Sequence, residues 1–263
     1  SSLIIYGYTT LSMVAIYGNY MLIINSINMM FQSIFSGVTA GIGNLVAEGD
    51  KKKILSIFEE LFSSRFFCVS ILCYCILKLS NPFITIWIGS EYLLQKPTLY
   101  VIVGIMYINL TRTTIDAYIS AYGLFSDVWA PVLEAIVNIS LSILLGYYWG
   151  ITGIVSGVLI SLILVVFLWK PYFVFRKALK ISIIVYVKMY LKHIMAFVIS
   201  YAITVFLISF FSIHADRNFL HWIISAIVNM SIFGIVLLLL LYILTSGMRD
   251  FTCRIIRIVQ KKY

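Results

Sequence analysis

Long runs of apolar residues, separated by short polar, charged or Gly/Pro-containing segments, recur along the whole chain. A helix needs about 20 such residues to cross a hydrocarbon core of about 30 Å. The runs do not alternate apolar with polar residues as barrel strands do, which favours helices. The pattern predicts membrane helices at residues 2–14, 17–46, 63–80, 97–122, 128–149, 151–171, 193–213 and 220–245.

These elements predict an all-α fold, a polytopic transmembrane helical bundle with one partial and seven complete helices. The partial helix comes first, because Ser1 and Ser2 lead directly into apolar residues with no initiator Met, basic n-region or cleavage site. We therefore expect the chain to begin inside a helix.

Two further segments are predicted to lie at the membrane interface instead of crossing it. Residues 50–62 carry an apolar helical face among charged residues, which indicates an interfacial helix on the cytoplasmic side. Residues 81–94 are apolar but interrupted by Pro82 and Gly89, and we expect Trp87 and Tyr92 to anchor them at the outer interface.

Composition excludes a soluble protein and offers no enzyme motif. Hydrophobic residues make up 62% of the chain and charged residues 11%, and the mean hydropathy is +1.04, so lipid must solvate much of the surface. The sequence has no GxSxG, Walker, HExxH or Asp-rich metal motif. We therefore predict no enzymatic activity, no catalytic or metal-binding residues and no cofactor. No chemistry is assigned to the three histidines, which lie near predicted helix ends: His193, His214 and His221.

The basic residues are distributed unequally between the two sides that successive helices define. One side carries 15 of the 19, which places that side and the C-terminus in the cytoplasm. Contact with anionic membrane lipids explains the net charge of +9, and no basic stripe interleaved with aromatic residues indicates nucleic acid. The 15 residues are Lys51, Lys52, Lys53, Arg65, Lys170, Arg176, Lys177, Lys180, Lys188, Lys192, Arg249, Arg254, Arg257, Lys261 and Lys262.

A row of polar side chains follows one face of the predicted helix 17–46. Asn25, Asn28, Gln32, Ser36 and Thr39 are spaced by three or four residues and therefore share a face. Because amide groups exposed to hydrocarbon would lose hydrogen bonds, this row should face protein or water. It predicts either the wall of a water-filled cavity or interhelical hydrogen bonding, which three nearby glycines would favour.

The predicted helix 97–122 carries charge within the membrane. Asn109, Arg112 and Asp116 recur on one side of it, together with Thr113 and Ser120. Arg112 and Asp116 are four residues apart and can form an ion pair. Arg112 lies about ten residues, or about 15 Å, from the predicted cytoplasmic end, and an ionisable side chain at that depth costs at least about 2.5–3.5 kcal/mol. It is therefore a candidate functional residue, with a purely structural ion pair as the alternative.

A third polar row lies on the predicted helix 128–149. Glu134, Asn138 and Ser142 repeat at four-residue spacing. Glu134 lies only about two turns inside the predicted cytoplasmic end, so both a solvated position at a cavity mouth and a proton-binding site are open for it.

Five passages stand out by their order and spacing: VAIYGNYMLI (14–23), GVTAGIGNLVAEGD (37–50), FITIWIGSEYLL (83–94), DAYISAYGLFSDVWAPVLEAIVNISLSILLG (116–146) and GITGIVSG (150–157). Together they resemble the polysaccharide-export branch of the multidrug/oligosaccharidyl-lipid/polysaccharide exporter superfamily, which contains the O-antigen and capsule flippases. The resemblance is to the C-terminal half of that family and covers nearly the whole chain.

The resemblance implies the C-terminal lobe of a two-lobe flippase, with the N-terminal lobe of the same protein as its missing partner. Residues 1–171 would form the transport lobe, helices seven to twelve of the family fold with the first truncated. Residues 172–192 would form a basic cytoplasmic loop. Residues 193–246 would add two transmembrane helices, and residues 247–263 a basic cytoplasmic tail.

Family members move undecaprenyl-diphosphate-linked oligosaccharides from the inner to the outer leaflet of the bacterial cytoplasmic membrane for surface polysaccharide assembly. The resemblance therefore implies a multi-pass inner-membrane transporter of a lipid-linked oligosaccharide, with possible coupling to a proton or sodium gradient. Arg112 would meet diphosphate or acidic sugar, and Asp116 would hold it or exchange protons. The other candidate cavity residues are Asn109, Asn25, Asn28, Gln32, Glu134 and Asn138.

Three other functions stay open at this point. A drug/cation antiporter of the same superfamily would need carboxylates and fewer cations in its cavity. The presence of Arg112 argues against this function. A membrane glycosyltransferase or O-antigen polymerase would need a larger outer loop than the predicted ones of roughly 16, 1 and 6 residues. A helical bundle with no transport role would be distinguished by a flux assay.

Overall fold

The structure, a computed structural model, describes residues 7, 10–210, 215 and 217–260. This described part of the chain forms eight α-helices and no β-strand, which confirms the predicted all-α bundle. Winding of the π type continues the helical path across Ile163–Trp169 and Phe175–Leu179. The α-helices are α1 (Leu11–Glu48), α2 (Lys51–Trp87), α3 (Lys96–Ala121), α4 (Trp129–Leu162), α5 (Lys170–Val174), α6 (Ile183–Ile208), α7 (Phe219–Leu244) and α8 (Ser246–Gln260).

Six helical stretches of the described chain are long and apolar enough to cross a membrane. The fourth of them, Trp129–Leu179, is double the length of a single pass and turns back on itself. Counting its two arms separately gives seven passes, which correspond to the seven complete helices predicted. The stretches are Leu11–Phe35, Lys51–Trp87, Lys96–Ala121, Trp129–Leu179, Ile183–Ile208 and Phe219–Leu244.

The reversal of α4 occurs at Gly150, whose backbone (φ 55°, ψ −134°) is not helical. The Ser142 hydroxyl donates to the Ile154 carbonyl at 3.0 Å, whereas twelve residues of straight helix would separate them by about 18 Å. Gly157 lets the arms approach, because a Cβ there would lie 2.4 Å from the Ser142 backbone nitrogen. Arms 129–149 and 151–162 therefore form a tight hairpin, as the sequence predicts.

The first two predicted helices, 2–14 and 17–46, are not separate where the structure describes them. One continuous helix, α1, runs from Leu11 to Glu48. The Thr10 hydroxyl caps its start by accepting from the Met13 N–H at 3.3 Å, and Gly49 ends it in the left-handed conformation (φ 77°). Residues 15 and 16 are Ala and Ile, which do not interrupt a helix. Residues 1–6, 8 and 9 lie outside the described part.

The prediction of a separate interfacial helix at 50–62 is wrong, because α2 is continuous from Lys51 to Trp87. Asp50 caps its start by accepting from the N–H groups of Lys52 and Lys53 at 3.0 and 3.2 Å. The apolar face of this segment contacts protein instead of lipid: Ile54 and Phe58 are 2% and 0% exposed.

The segment 81–94 also differs from its prediction, since its first half belongs to α2. Pro82 lies inside the helix, where it removes one backbone hydrogen bond without ending the helix. The chain leaves the helix at Gly89 (φ 111°), and a single 3₁₀ turn, Ser90–Tyr92, follows. Trp87 and Tyr92 are exposed, as interfacial anchors should be.

The predicted loop 172–192 and tail 247–263 are largely helical. Helical winding continues to Leu179, Lys180 reverses the chain in the left-handed conformation (φ 54°), and Ser182 caps α6. Beyond α7, Thr245 is extended and α8 then lies along the first half of α2, where Gly247 contacts the Glu59 backbone. Packing against neighbouring helices orders both segments, which charge content alone does not predict.

Charged segments gather at one end of the bundle, called here the basic end. The end of α1, the start of α2 and residues 177–180 surround a cavity of about 330 Å³ there. Arg254 of α8 pairs with Glu60 of α2 at 2.9 Å at the same end. At the opposite end, two hydrogen bonds of 2.7 Å connect neighbouring helices. The Tyr20 hydroxyl of α1 donates to Asn81 of α2, and the hydroxyls of Thr98 of α3 and Thr152 of α4 bond to each other.

Candidate functional site

Three charged side chains from two passes meet on the half-exposed face of α3. The Asp116 carboxylate accepts from Arg112 Nε at 2.9 Å and from Lys170 Nζ at 2.8 Å. The side chains are 29%, 33% and 14% exposed for Arg112, Asp116 and Lys170. The predicted pair is thus present, and Lys170, which the sequence placed at a helix end, joins it from the following pass. The group carries one excess positive charge that a ligand can reach.

This charged group lies within the membrane-spanning stretches. Arg112 is nine residues, or about 13 Å, from the Ala121 end of α3. Lys170 lies nine residues inside the Leu179 end of the stretch Trp129–Leu179. Charges at this depth require water or a polar ligand at their exposed side.

The polar row of α1 borders the same open side of α3. On the other flank of α1, Ile23 and Ile27 line a cavity with Trp222 and residues of α2. The row lies about two fifths of a turn away from that flank, on the other side of the buried Tyr20 and Ile24. Asn25 and Gln32 are exposed, and the buried Oδ1 of Asn28 has no partner among the described residues. The side chains of Ser36 and Thr39 lie outside the described set.

Together these elements form a groove, called here the polar groove. Its floor is the half-exposed face of α3, which lies between α1 and the α4 hairpin and contacts both. Its two walls meet at the end opposite the basic end, where Met13 and Tyr17 of α1 pack against Ile151 and Ile154. The groove is therefore walled on two sides and narrows away from the basic end.

The remaining candidate residues are less closely connected to this groove. Asn138 accepts from the Ser142 hydroxyl at 3.2 Å and so takes part in the hairpin. Glu134 is half-exposed and forms no ion pair within the described part of the chain. Asn109 is half-buried on the groove floor, and its side chain has no hydrogen bond to another described residue.

Sequence reasoning missed the most buried cation. Arg65 is 2% exposed inside the bundle, so its prediction as a residue of a cytoplasmic loop or helix end is wrong. Its Nη1 donates to the hydroxyls of Thr113 and Thr114 at 2.9 and 3.1 Å, and its guanidinium lies 5.2 Å from the Phe35 ring centre. Its Nε has no partner among the described residues. The available signal was its position within an apolar run, FSSRFFCV.

The expectation that all three histidines lie near helix ends fails for His193. Because α6 begins at Ile183, His193 lies inside that helix, and it is fully buried against Ser63 of α2 at 2.9 Å. His221 does lie in the first turn of α7, beside the capping Asn218. His214 lies outside the described residues.

No protein-family model, curated protein or solved structure matches this chain. The fold and its apolar helices define the class, an all-α multi-pass membrane protein. The polar groove is the feature of this fold that bears on its function.

Proposed function

We propose that the chain is one lobe of a membrane flippase for a lipid-linked oligosaccharide, and that the polar groove is half of its pathway. The observation that carries this proposal is the accessible group of Arg112, Asp116 and Lys170 within the spanning stretches. A purely structural ion pair would not need a second cation or an exposed side.

The geometry of this group suits a diphosphate. Arg112 uses Nε for Asp116, and its two terminal nitrogens make no hydrogen bond to a described residue. A guanidinium with a free edge can bind phosphate oxygens in a bidentate manner. Asp116 fixes the orientation of Arg112 and holds Lys170 beside it as a second cation.

The polar row of α1 suits the sugar portion. Asn25 and Gln32 are exposed on a wall of the groove, where amides can donate to and accept from hydroxyl groups. Hydrocarbon would leave those amides unsatisfied. In the proposed protein, a second lobe faces them across a watery pathway, and the two lobes alternate in closing each side.

The same proposal assigns the location and the energy source. The basic end lies on the cytoplasmic side of a bacterial inner membrane, in agreement with the positive-inside tendency. The C-terminus lies on the same side. Transport proceeds without ATP hydrolysis and draws on a proton or sodium gradient. Glu134 is a carboxylate without an ion pair among the described residues, and it is the first candidate for proton binding.

Photo-crosslinking tests the proposed pathway directly. A photoreactive amino acid at Gln32, on the groove wall, should capture a radiolabelled undecaprenyl-diphosphate oligosaccharide in membrane vesicles. The matched control is Leu22, which is 61% exposed on the outer surface of the same helix. Labelling at 32 and not at 22 supports the proposal. Equal labelling at both sites, or capture of a cationic drug in preference to the oligosaccharide, contradicts it.

A further inference from the structure

A second polar cavity lies at the basic end, between α2, α6 and the beginning of α8. Its volume is about 240 Å³, and it is separate from the polar groove. Lys188 and Lys192, one turn apart on α6, contribute to its lining, together with Glu59 of α2. None of these three residues takes part in the proposed transport pathway.

The lining of this cavity carries excess positive charge. Lys188 and Lys192 are exposed, and neither forms an ion pair within the part of the chain that the structure describes. The carboxylate of Glu59 accepts from the Ser246 hydroxyl at 2.6 Å, which holds it against the start of α8. Two cations therefore oppose one anion that already has a partner.

The floor of the cavity adds no further charge. His193 Nδ1 lies 2.8 Å from the Met189 carbonyl, which can only accept, so Nδ1 carries the proton. Nε2 and the Ser63 hydroxyl are hydrogen-bonded at 2.9 Å. Full burial favours the neutral imidazole over the charged one, and both ring nitrogens already have partners, so the two lysines are the groups that an incoming anion would meet.

The surroundings of the lysines favour a lipid as the source of that anion. Ile184, Leu191, Met195 and Val198 form an exposed apolar stripe along α6, as a lipid-facing helix surface should. Lys188 and Lys192 lie at the edge of this stripe, between it and the cavity. One to two turns beyond the lysines, Met195 and Ile199 continue as exposed apolar surface. An acyl chain can lie along them while its headgroup reaches the cavity.

We infer that this cavity binds the phosphate of an anionic membrane lipid in the leaflet at the basic end, with an acyl chain along the α6 stripe. Basic pockets between membrane helices at such an interface are typical sites for acidic headgroups. A free phosphate ion would meet the same two lysines but would gain nothing from the apolar stripe, so the lipid is the expected occupant.

The test is lipid binding to the purified chain in mixed micelles, measured by native mass spectrometry with phosphatidylglycerol or cardiolipin as the probe. Lys188→Gln with Lys192→Gln should weaken binding roughly thirtyfold, since each lysine near a headgroup contributes about fivefold. Both side chains are exposed, so the variant should fold normally. Lys188→Arg with Lys192→Arg should retain most of the binding because the charge is kept.

The matched control removes two exposed cations from the same end without touching the cavity, by Lys52→Gln with Arg249→Gln. This variant should bind anionic lipid as the original chain does. An equal loss in the control would show diffuse attraction to the basic end and would overturn the site. Displacement of bound lipid by millimolar inorganic phosphate would assign the cavity to a free ion and overturn the proposal that a lipid binds there. Unchanged lipid binding in the variant with Lys188→Gln and Lys192→Gln would also overturn that proposal.

Discussion

Arg65 and Arg112 carry the same charge in different surroundings. Arg112 has an ionic partner and a half-exposed side, whereas Arg65 is enclosed by hydroxyl groups and an aromatic ring. A buried guanidinium with no carboxylate beside it loses hydration that two hydroxyl hydrogen bonds replace only in part. A gain in stability is therefore a poor explanation for a guanidinium at position 65.

This reasoning predicts the outcome of replacing Arg65 by an apolar residue of similar length. Arg65→Met should leave the free energy of unfolding unchanged or raise it, by up to about 1–4 kcal/mol. Arg65→Glu should lower it, because the buried charge persists and the threonine hydroxyls must reorient. Thermal unfolding in detergent measures both, with exposed Lys52→Met as control. A large loss of stability in Arg65→Met would show that the cation is structurally required.

Lys170 changes what a charge swap at the groove should do. In Arg112→Asp with Asp116→Arg, the new arginine would face Lys170, which now lies 2.8 Å from the Asp116 carboxylate. The swapped variant should therefore unfold at a lower temperature than the original, and adding Lys170→Gln should restore most of the difference. Transport should be lost in both variants, since the guanidinium has moved by about one turn. Recovery of transport in the swapped variant with Lys170→Gln would show that Arg112 acts only as an ion-pair partner and does not bind the diphosphate.

At the scale of elements, the hairpin depends on glycine more than on side-chain chemistry. A Cβ at Gly157 would lie 2.4 Å from the backbone of the opposite arm, while a Cβ at Gly43 of α1 would meet nothing within 4 Å. Gly157→Ala should destabilise the protein by about 1–3 kcal/mol through overpacking. Gly43→Ala should be neutral or stabilising by up to about 1 kcal/mol, as helix propensity favours alanine. Unfolding of both variants in denaturing detergent would show this difference, and equal effects would contradict the close packing of the arms.

The same scale shows what local sequence reasoning can predict. The hairpin was predictable because Gly150 separates two apolar runs that are each long enough to cross a bilayer. The length of α2 was not, because Pro82 indicates a helix end when it is considered locally, and the charged residues around the apolar face of residues 50–62 indicate a separate interfacial helix. Contacts with α8 and with the ends of α1 and α3 stabilise the start of α2 outside the apolar span. Such contacts between distant segments leave no local signal.

The candidate site was predictable only in part, for a related reason. Arg112 and Asp116 share one helix, so their spacing alone predicts the pair. Lys170 and Arg65 reach α3 from other passes, and the tertiary fold decides which residues they meet. Both were therefore assigned to helix ends from their charge, although one pairs with Asp116 and the other is enclosed by Thr113 and Thr114.

At the scale of the whole molecule, the arrangement of seven passes predicts opposite locations for two exposed positions. Cys253 lies on α8 at the basic end, and Ser90 lies in the turn after α2 at the opposite end. An impermeant thiol reagent applied to intact cells should label Ser90→Cys and should not label Cys253. Permeabilised cells, in which both positions should react, provide the control. The reverse pattern would invert the proposed orientation in the membrane.

The central claim is that Arg112, the accessible cation of the polar groove, binds the diphosphate of a lipid-linked sugar while the protein moves it across the membrane. The most direct measurement is the rate at which labelled lipid-linked oligosaccharide reaches the outer leaflet in cells expressing both lobes of the proposed flippase, at matched expression of each variant. We expect Arg112→Ala to reduce this rate by at least about tenfold, equivalent to about 1.4 kcal/mol. Arg112→Lys should retain part of the rate, because lysine keeps the positive charge but lacks the planar guanidinium that binds two phosphate oxygens at once. Full flipping by the alanine variant would contradict the claim.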